Sequence, residues 1–265
     1  ETKELKVAII GAGNMGGAIA RGLAKGRMIS ASHISVSDIN ESNLSAIRAA
    51  FPAINTYTAN AQMVEDAHII ILAVKPWLVE PVAEEIEKLI DYKRQIIVSV
   101  AAGVDFGKLV DYFDSKATLF RVIPNTAIDV LQSVSTVSSH NANEEQTNLI
   151  LDLFSELGKT FHVPESQLNA FMSLSSCGIA YAFRYIRAAM EGGVEMGIYP
   201  NVAKDVVLQT LRGAIDLIEA NGSHPEVEID KVTTPGGITI KGLNEMEANG
   251  FSNAVIKGLK ASHLK

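Results

Sequence analysis

The stretch from Lys6 to Gly26, KVAIIGAGNMGGAIARGLAKG, decides the fold. It begins with an apolar run typical of a buried strand, continues through a G-x-G-x-x-G pattern, and ends in a segment with helical spacing. In such a pattern the first glycine permits a tight turn, the second lets the backbone approach a pyrophosphate, and the third lets helix and strand pack closely. We therefore predict that Gly11, Gly13 and Gly16 form a dinucleotide-binding turn, the alternative being a glycine-rich surface turn.

Apolar, β-branched runs then alternate with amphipathic segments. The runs are KVAII, HISVS, HIIILAV, QIIVSV and TLFRVI, a rhythm typical of a parallel sheet with helical crossovers. After KTFHVPESQ the strand signals stop, and helical patterns continue with breaks predicted at Gly192 and Gly193, at Tyr199 and Pro200, at Asn221 and Gly222, and from Pro235 to Gly237. We predict an α/β protein: a Rossmann-type doubly wound sheet over residues 1–163, followed by an all-helical domain over residues 164–265.

Composition disfavours several classes of partner. The formal net charge of −7 argues against a nucleic-acid or anionic membrane surface. The most apolar late stretch carries Arg184 and Arg187, so we expect a buried helix and no membrane span. Cys177 is the single cysteine, which excludes an intramolecular disulfide and favours a cytoplasmic location. The histidines lack metal-ligand spacing, so we expect no metal site.

Asp38 follows the second predicted strand, HISVSDIN, about 20 residues beyond the last glycine of the turn. An acidic side chain in that place accepts hydrogen bonds from an adenosine ribose, which favours NADH over NADPH. Two alternatives stay open. Asp38 caps the following helix or turn, or Ser37, Asn40 and Ser42 contact a 2′-phosphate.

The end of another predicted strand, HIIILAV, carries the residues Ala73, Val74, Lys75 and Pro76. Ligands of doubly wound sheets bind at this carboxyl edge, so all four residues are predicted to contact the cofactor. Lys75 is predicted to face the cofactor or a substrate carboxylate and is also a candidate catalytic residue. The alternative is a solvated surface lysine, which is what most lysines are.

Seven segments carry a family resemblance: IIGAGNMG, LAVKP, SVAAGV, RVIPNTA, YAF, EGGVEMG and VTTPGGITIKGLNEME, in this order. With them the chain resembles pyrroline-5-carboxylate reductase along essentially its whole length. The resemblance implies reduction of 1-pyrroline-5-carboxylate to L-proline with NAD(P)H, the last step of proline biosynthesis. It also implies a Rossmann domain followed by a helical domain through which subunits form homodimers, often assembled into larger rings.

The resemblance further implies site residues. Cofactor contacts are expected at Ala12, Asn14, Met15, Asn60, Val74, Lys75 and Ala101. Substrate contacts are expected at Glu165, Ile238 and Thr239, with Val232, Thr234, Gly236 and Gly237 in the same segment. The chain departs from the family pattern in LSSCGIAYAF, where Ser176, Cys177 and Ile179 stand in a turn that is serine- and glycine-rich in many relatives.

The PGGIT turn suits a small carboxylate, because a glycine-rich turn that opens a helix offers converging N–H groups and the positive end of the helix dipole. A cyclic imine accepts hydride better when its nitrogen is protonated. Thr239 is therefore a candidate catalytic residue, and we favour anchoring over acid catalysis because an unperturbed hydroxyl is a poor proton source.

Two other functions compete with the reductase. A β-hydroxyacid dehydrogenase would use a lysine early in the helical domain, and the chain has none between Lys159 and Lys204. A non-catalytic NAD(P)-binding sensor would have no use for a small-carboxylate turn, which the chain retains.

Overall fold

The computed structural model describes residues 5–263. Its contacts divide the chain into two compact units, Glu1–Ser176 and Cys177–Lys265. The first unit contains an eight-stranded sheet, and the described part of the second is helical. These contacts assign residues 164–176 to the first unit, whereas the sequence placed the domain boundary after residue 163. That boundary stays a prediction.

All eight strands form one sheet, in the order β3-β2-β1-β4-β5-β6-β7-β8. Paired strands are parallel, except that β7 runs antiparallel to β6. The order reverses between β1 and β4, and such a switch point leaves a crevice at the carboxyl ends of the strands. The predicted doubly wound α/β fold is confirmed. The strands are β1 (Val7–Ile10), β2 (Ile34–Ser37), β3 (Asn55–Tyr57), β4 (Ile69–Leu72), β5 (Ile96–Ser99), β6 (Thr118–Ile123), β7 (Ser133–His140) and β8 (Gly158–His162).

Helices connect and follow these strands. In the first unit they are α1 (Asn14–Lys25), α2 (Glu41–Ala50), α3 (Ala61–Val64), α4 (Val79–Ile86), α5 (Phe106–Tyr112), α6 (Glu144–Ser155) and α7 (Leu168–Met172). A π-helical turn, Ser173–Cys177, follows α7. In the second unit they are α8 (Gly178–Glu195), α9 (Pro200–Asn221), α10 (Pro225–Val232), α11 (Ile238–Ala248) and α12 (Phe251–Ala261).

Both faces of the sheet are covered by apolar side chains. In β1, Val7 and Ile9 join a core built with α1, α2 and α6. Ala8 and Ile10 point to the other face and join a core built with α3, α4 and α5. Because successive residues of a strand face opposite sides, strands covered on both faces need continuous apolar runs. This is why β1 and β4 are apolar at every position.

Three of the four predicted helix breaks are confirmed, and the one at Gly192 and Gly193 is wrong. Helix α8 continues through both glycines to Glu195. A Cβ added at Gly193 would lie 3.1 Å from the Cβ of Ala203 on α9. Gly193 therefore serves the close approach of two helices, which compensates for its low helix propensity.

The second unit buries few of its own side chains. Between residues 177 and 263, Gly193 and Ala203 alone are buried. Large apolar side chains stand exposed on its helices, among them Phe183, Val206 and Ile256. A helix with an apolar face is stable when another layer covers that face, so this unit presents surface suited to a partner.

Candidate functional site

The loop between β1 and α1 packs tightly against the sheet and is bare on its other side. Gly11 has a φ of 101°, in the left-handed region that glycine favours. A Cβ added at Gly16 would come closer than 3.0 Å to the carbonyl oxygen of Gly11, and a Cβ at Gly11 would also come closer than 3.0 Å to that of Ala73. At Gly13, by contrast, an added Cβ would meet nothing within 4 Å. The loop therefore forms a wall of the site, and a ligand can approach its backbone closely at Gly13.

Helix α1 begins at the same loop. Its N-cap residue, Gly13, makes no capping side-chain hydrogen bond, and its first turn holds no acidic residue. The first N–H groups of a helix and its dipole attract anions. The end of α1 is thus suited to a phosphate group.

A cleft of about 930 Å³ lies over this loop, at the switch point of the sheet. Eleven of the thirteen predicted cofactor residues line it, whereas Ala12 and Gly16 do not and are buried. Ligand pockets are commonly about 300 to 1,000 Å³, so the cleft is large enough for a dinucleotide. The residues that line it are Gly11, Gly13, Asn14, Met15, Asp38, Asn60, Ala73, Val74, Lys75, Pro76 and Ala101.

Asp38 ties the glycine loop to the end of β2. Its Oδ2 accepts hydrogen bonds from the N–H of Ala12 at 2.8 Å and from Asn43 Nδ2 at 3.2 Å. Its Oδ1 accepts one from the N–H of Asn40 at 2.7 Å. A carboxylate offers about four lone-pair sites. Three are occupied here, which leaves Oδ1 with capacity for one further donor, such as a ribose hydroxyl.

A chain of polar side chains continues from β2 along the same wall. Ser37 Oγ donates to Asn60 Oδ1 at 2.6 Å, and Asn60 Nδ2 donates to Glu85 Oε2 at 2.9 Å. Glu85 lines the cleft from α4 and was not predicted from the sequence. An exposed glutamate on an amphipathic helix carries no signal of its own, since its role depends on which loop packs beside it.

An ion pair lies on another part of the cleft wall. Arg21 Nη2 on α1 is 3.0 Å from Asp129 Oδ1, which belongs to the 3₁₀ turn Thr126–Val130 after β6. Both residues line the cleft and neither was predicted. The predicted Lys75 is exposed where the cleft passes the end of β4.

Glu165, predicted to contact the substrate, is held within the first unit. Its Oε1 accepts hydrogen bonds from Arg121 Nη1 at 2.7 Å and from the N–H of Phe106 at 2.8 Å. Arg121 lies on β6 with its side chain 7% exposed, and Nε of that side chain finds no hydrogen-bond partner in residues 5–263. The pair therefore fixes the segment before α7 to the sheet. The structure gives Glu165 partners that the sequence did not predict.

The remaining predicted substrate residues gather in one turn of the second unit, between α10 and α11. Gly236 has a φ of 73°, and the N–H of Gly237 donates to the carbonyl oxygen of Thr234 at 2.9 Å. Gly237 is the N-cap of α11 and makes no capping side-chain hydrogen bond. Along this turn the side chains are solvent-exposed at Val232, Thr234, Ile238 and Thr239.

Helix α10, which precedes this turn, is stabilised by Glu228. Its Oε1 accepts hydrogen bonds from Ser223 Oγ at 2.5 Å, from Asn221 Nδ2 at 3.0 Å and from Lys231 Nζ at 3.0 Å. The bond from Ser223 contributes most to lowering the pKa of Glu228, which falls from 4.5 to about 2. The carboxylate thus fixes the C-terminal end of α9 to α10.

Ser176, one of the residues at which the chain departs from the family pattern, lies in the π-helical turn Ser173–Cys177. Ser176 Oγ donates to the carbonyl oxygen of Pro124 at 2.8 Å, and Asn125 Nδ2 donates to the carbonyl oxygen of Ser175 at 3.4 Å. These bonds join the turn to the RVIPNT segment, in which Thr126 lines the cleft. The hydroxyl of Ser176 therefore has a structural partner in this chain.

Two further properties concern metals and membranes. Among residues 5–263, no group of three or more His, Cys, Asp or Glu side chains could hold a metal ion. Over the same range, none of the helices has the length and apolar character to span a membrane.

Two family models match separate parts of the chain. Residues 165–265 match the model described as pyrroline-5-carboxylate reductase dimerisation. Residues 6–103 match the model described as NADP oxidoreductase, coenzyme F420-dependent.

Similar proteins extend the match to nearly the full length. The pyrroline-5-carboxylate reductase of Methanosarcina acetivorans is 34% identical over 97% of this chain and 96% of its own. Pyrroline-5-carboxylate reductase 1 of Dictyostelium discoideum is also 34% identical over 97% of this chain, which spans only 48% of that protein. The NADP-bound structure of Plasmodium falciparum pyrroline carboxylate reductase has a TM-score of 0.88 at 25% identity and covers 97% of this chain and 95% of its own. The chain belongs to the pyrroline-5-carboxylate reductase family.

Proposed function

We propose that this protein reduces 1-pyrroline-5-carboxylate to L-proline with NAD(P)H, the last step of proline biosynthesis. The observation that carries the cofactor half of this proposal is the cleft at the switch point of the sheet, walled by the bare glycine loop. Family membership supports the substrate half.

The residues of the cleft fit a dinucleotide. The glycine loop leaves no room for side chains where it meets the sheet and leaves open space at Gly13, where a pyrophosphate would bind at the end of α1. Asp38 keeps one acceptor site for a ribose hydroxyl, and this supports NADH as the preferred cofactor. When bound, the reduced nicotinamide supplies the hydride.

We assign the substrate carboxylate to the turn that opens α11. The helix is 11 residues long, its N-cap Gly237 carries no competing side chain, and its first turn holds no acidic residue. Its free N–H groups and dipole would bind the carboxylate, and the exposed hydroxyl of Thr239 would add a donor. Thr239 would then anchor the ring. In the first unit, the positive charge of Lys75 would attract the cofactor phosphates.

A direct assay tests this proposal. Purified protein is mixed with NADH or NADPH, and loss of the reduced-nicotinamide absorbance is followed after 1-pyrroline-5-carboxylate is added. We expect turnover with at least one cofactor and formation of L-proline in equal amount. Absence of proline with both cofactors would refute the proposal. Oxidation of 3-hydroxyisobutyrate in a separate mixture that contains NAD+ or NADP+ would favour the β-hydroxyacid dehydrogenase.

We further propose that two copies of the chain associate through the second unit as a homodimer. The apolar side chains exposed on α8, α9 and α12 support this, as does the family model matched there. Sedimentation velocity at several protein concentrations tests it: a monomer at all concentrations would contradict the dimer, and a mass of several dimers would indicate a ring. A cytoplasmic location stays a prediction.

A further inference from the structure

The wall of the cleft beside β2 is rich in carboxylates. Asp38 at the end of β2 and Glu85 on α4 both line it. The cations that line the same cleft are Arg21, which is paired with Asp129, and Lys75 at the end of β4. In a doubly wound sheet the end of the second strand is where the adenosine ribose binds. The ribose would therefore meet acceptors and negative charge.

Three donor groups beside β2 already make hydrogen bonds within the protein. The hydroxyl of Ser37 donates to Asn60 Oδ1, and the hydroxyl of Ser42 donates to Asn40 Oδ1 at 2.6 Å. The amide of Asn60 donates to Glu85 Oε2. A 2′-phosphate carries about two negative charges and needs donors or cations, whereas a 2′-hydroxyl needs an acceptor. This wall suits the hydroxyl.

Glu85 has two effects on a 2′-phosphate. Its charge repels the phosphate, and its hydrogen bond occupies one of the two N–H donors of the Asn60 amide. We infer that Glu85 is a specificity-determining residue that, through its charge and its bond to Asn60, favours NADH over NADPH. The inference rests on the proposed function for the identity of the ligand and goes beyond the role of Asp38.

Binding measurements on the full chain test this inference without turnover. Trp77 is the single tryptophan and lies in the 3₁₀ turn Pro76–Leu78 at the cleft, so energy transfer from Trp77 reports bound NADH or NADPH. In Glu85→Gln the affinity for NADPH should rise about fivefold relative to that for NADH, because a repulsive charge is removed across a solvated gap. The gain should shrink at high salt.

Glu84→Gln is the matched control, since Glu84 is the exposed neighbour on α4 and does not line the cleft. Its NADPH-to-NADH affinity ratio should equal that of the unaltered protein. An unchanged ratio in Glu85→Gln, or an equal shift in both variants, would overturn the inference. A protein that binds NADH with this selectivity yet leaves 1-pyrroline-5-carboxylate unreduced would refute the proposed function and leave the role of Glu85 standing.

Discussion

Unequal burial of the two partners in the Arg121 and Glu165 ion pair predicts unequal effects of removing each one. The Arg121 side chain is 7% exposed and that of Glu165 is 35% exposed. Removing one partner of a buried pair costs about 3 to 5 kcal/mol, because the other charge stays desolvated. Water reaches the carboxylate better than the guanidinium. Removal of Glu165, which leaves the guanidinium buried, should therefore cost more than removal of Arg121.

Glu165→Ala leaves the guanidinium of Arg121 buried, with Nε already lacking a partner among the described residues. We expect it to lower the free energy of unfolding by about 3 kcal/mol. Arg121→Met keeps an aliphatic stem in place and leaves a partly solvated carboxylate that still accepts from the N–H of Phe106. Discounted for that exposure, its cost should be roughly 1.5 kcal/mol.

Amide hydrogen exchange of β6 in the full chain, followed by mass spectrometry at increasing urea, measures the local opening free energy for each variant. Glu165→Gln is the control, because its amide oxygen keeps both hydrogen bonds and loses only the charge. The local opening free energy of Glu165→Gln should lie between those of the unaltered protein and Glu165→Ala. If Arg121→Met costs as much as Glu165→Ala or more, burial does not set the asymmetry and the reasoning fails.

Four further substitutions address the cofactor, the substrate and pH. Gly16→Ala should reduce the affinity for NADH at least tenfold, because the added Cβ would displace the carbonyl of Gly11. Titration with NADH while Trp77 fluorescence is followed measures that affinity, and an unchanged value would contradict the tight packing. Asp38→Ser should shift the kcat/KM ratio toward NADPH, and a constant ratio would mean that the carboxylate does not reach the ribose. Thr239→Ala should raise KM for 1-pyrroline-5-carboxylate several-fold, whereas a fall in kcat alone would indicate proton transfer. Because the pKa of Glu228 is lowered to about 2, the stabilising effect of its carboxylate is present above pH 4.5 and is lost as pH falls through 2. The difference in Tm between the unaltered protein and Glu228→Gln should therefore shrink as pH falls over that range. A constant difference would contradict this stabilising role.

The sequence predicts the cofactor loop well because its signals are local. A strand, a turn and a helix follow each other within Lys6–Gly26. Gly11 and Gly16 are required by contacts with neighbouring backbone, and Gly13 leaves the other side of the turn open. The carboxyl edge was equally predictable, since parallel strands bring their ends together. Eleven of thirteen predicted cofactor residues therefore line one cleft.

The long-range partners of Asn60 and Glu165 were not predictable from the sequence. Asn60 and Glu85 are 25 positions apart, and Arg121 and Glu165 are 44 apart, so each pair depends on tertiary packing. The sequence did not predict strand β7, because its residues, SVSTVSSH, lack an apolar run. Buried hydroxyls replace apolar side chains there; Ser138 Oγ, for example, donates to the carbonyl oxygen of Val163 at 2.7 Å. Propensity alone does not reveal such a strand.

The bond from the N–H of Ala12 to Asp38 has a consequence for how cofactor preference can evolve. The same carboxylate that would select a ribose hydroxyl also orders the glycine loop before any ligand arrives. Replacing it therefore alters selectivity and loosens the phosphate site in one step, so both dinucleotides should bind more weakly even as their ratio changes. A lineage that switches cofactor through this position needs a compensating substitution that restores order to the loop.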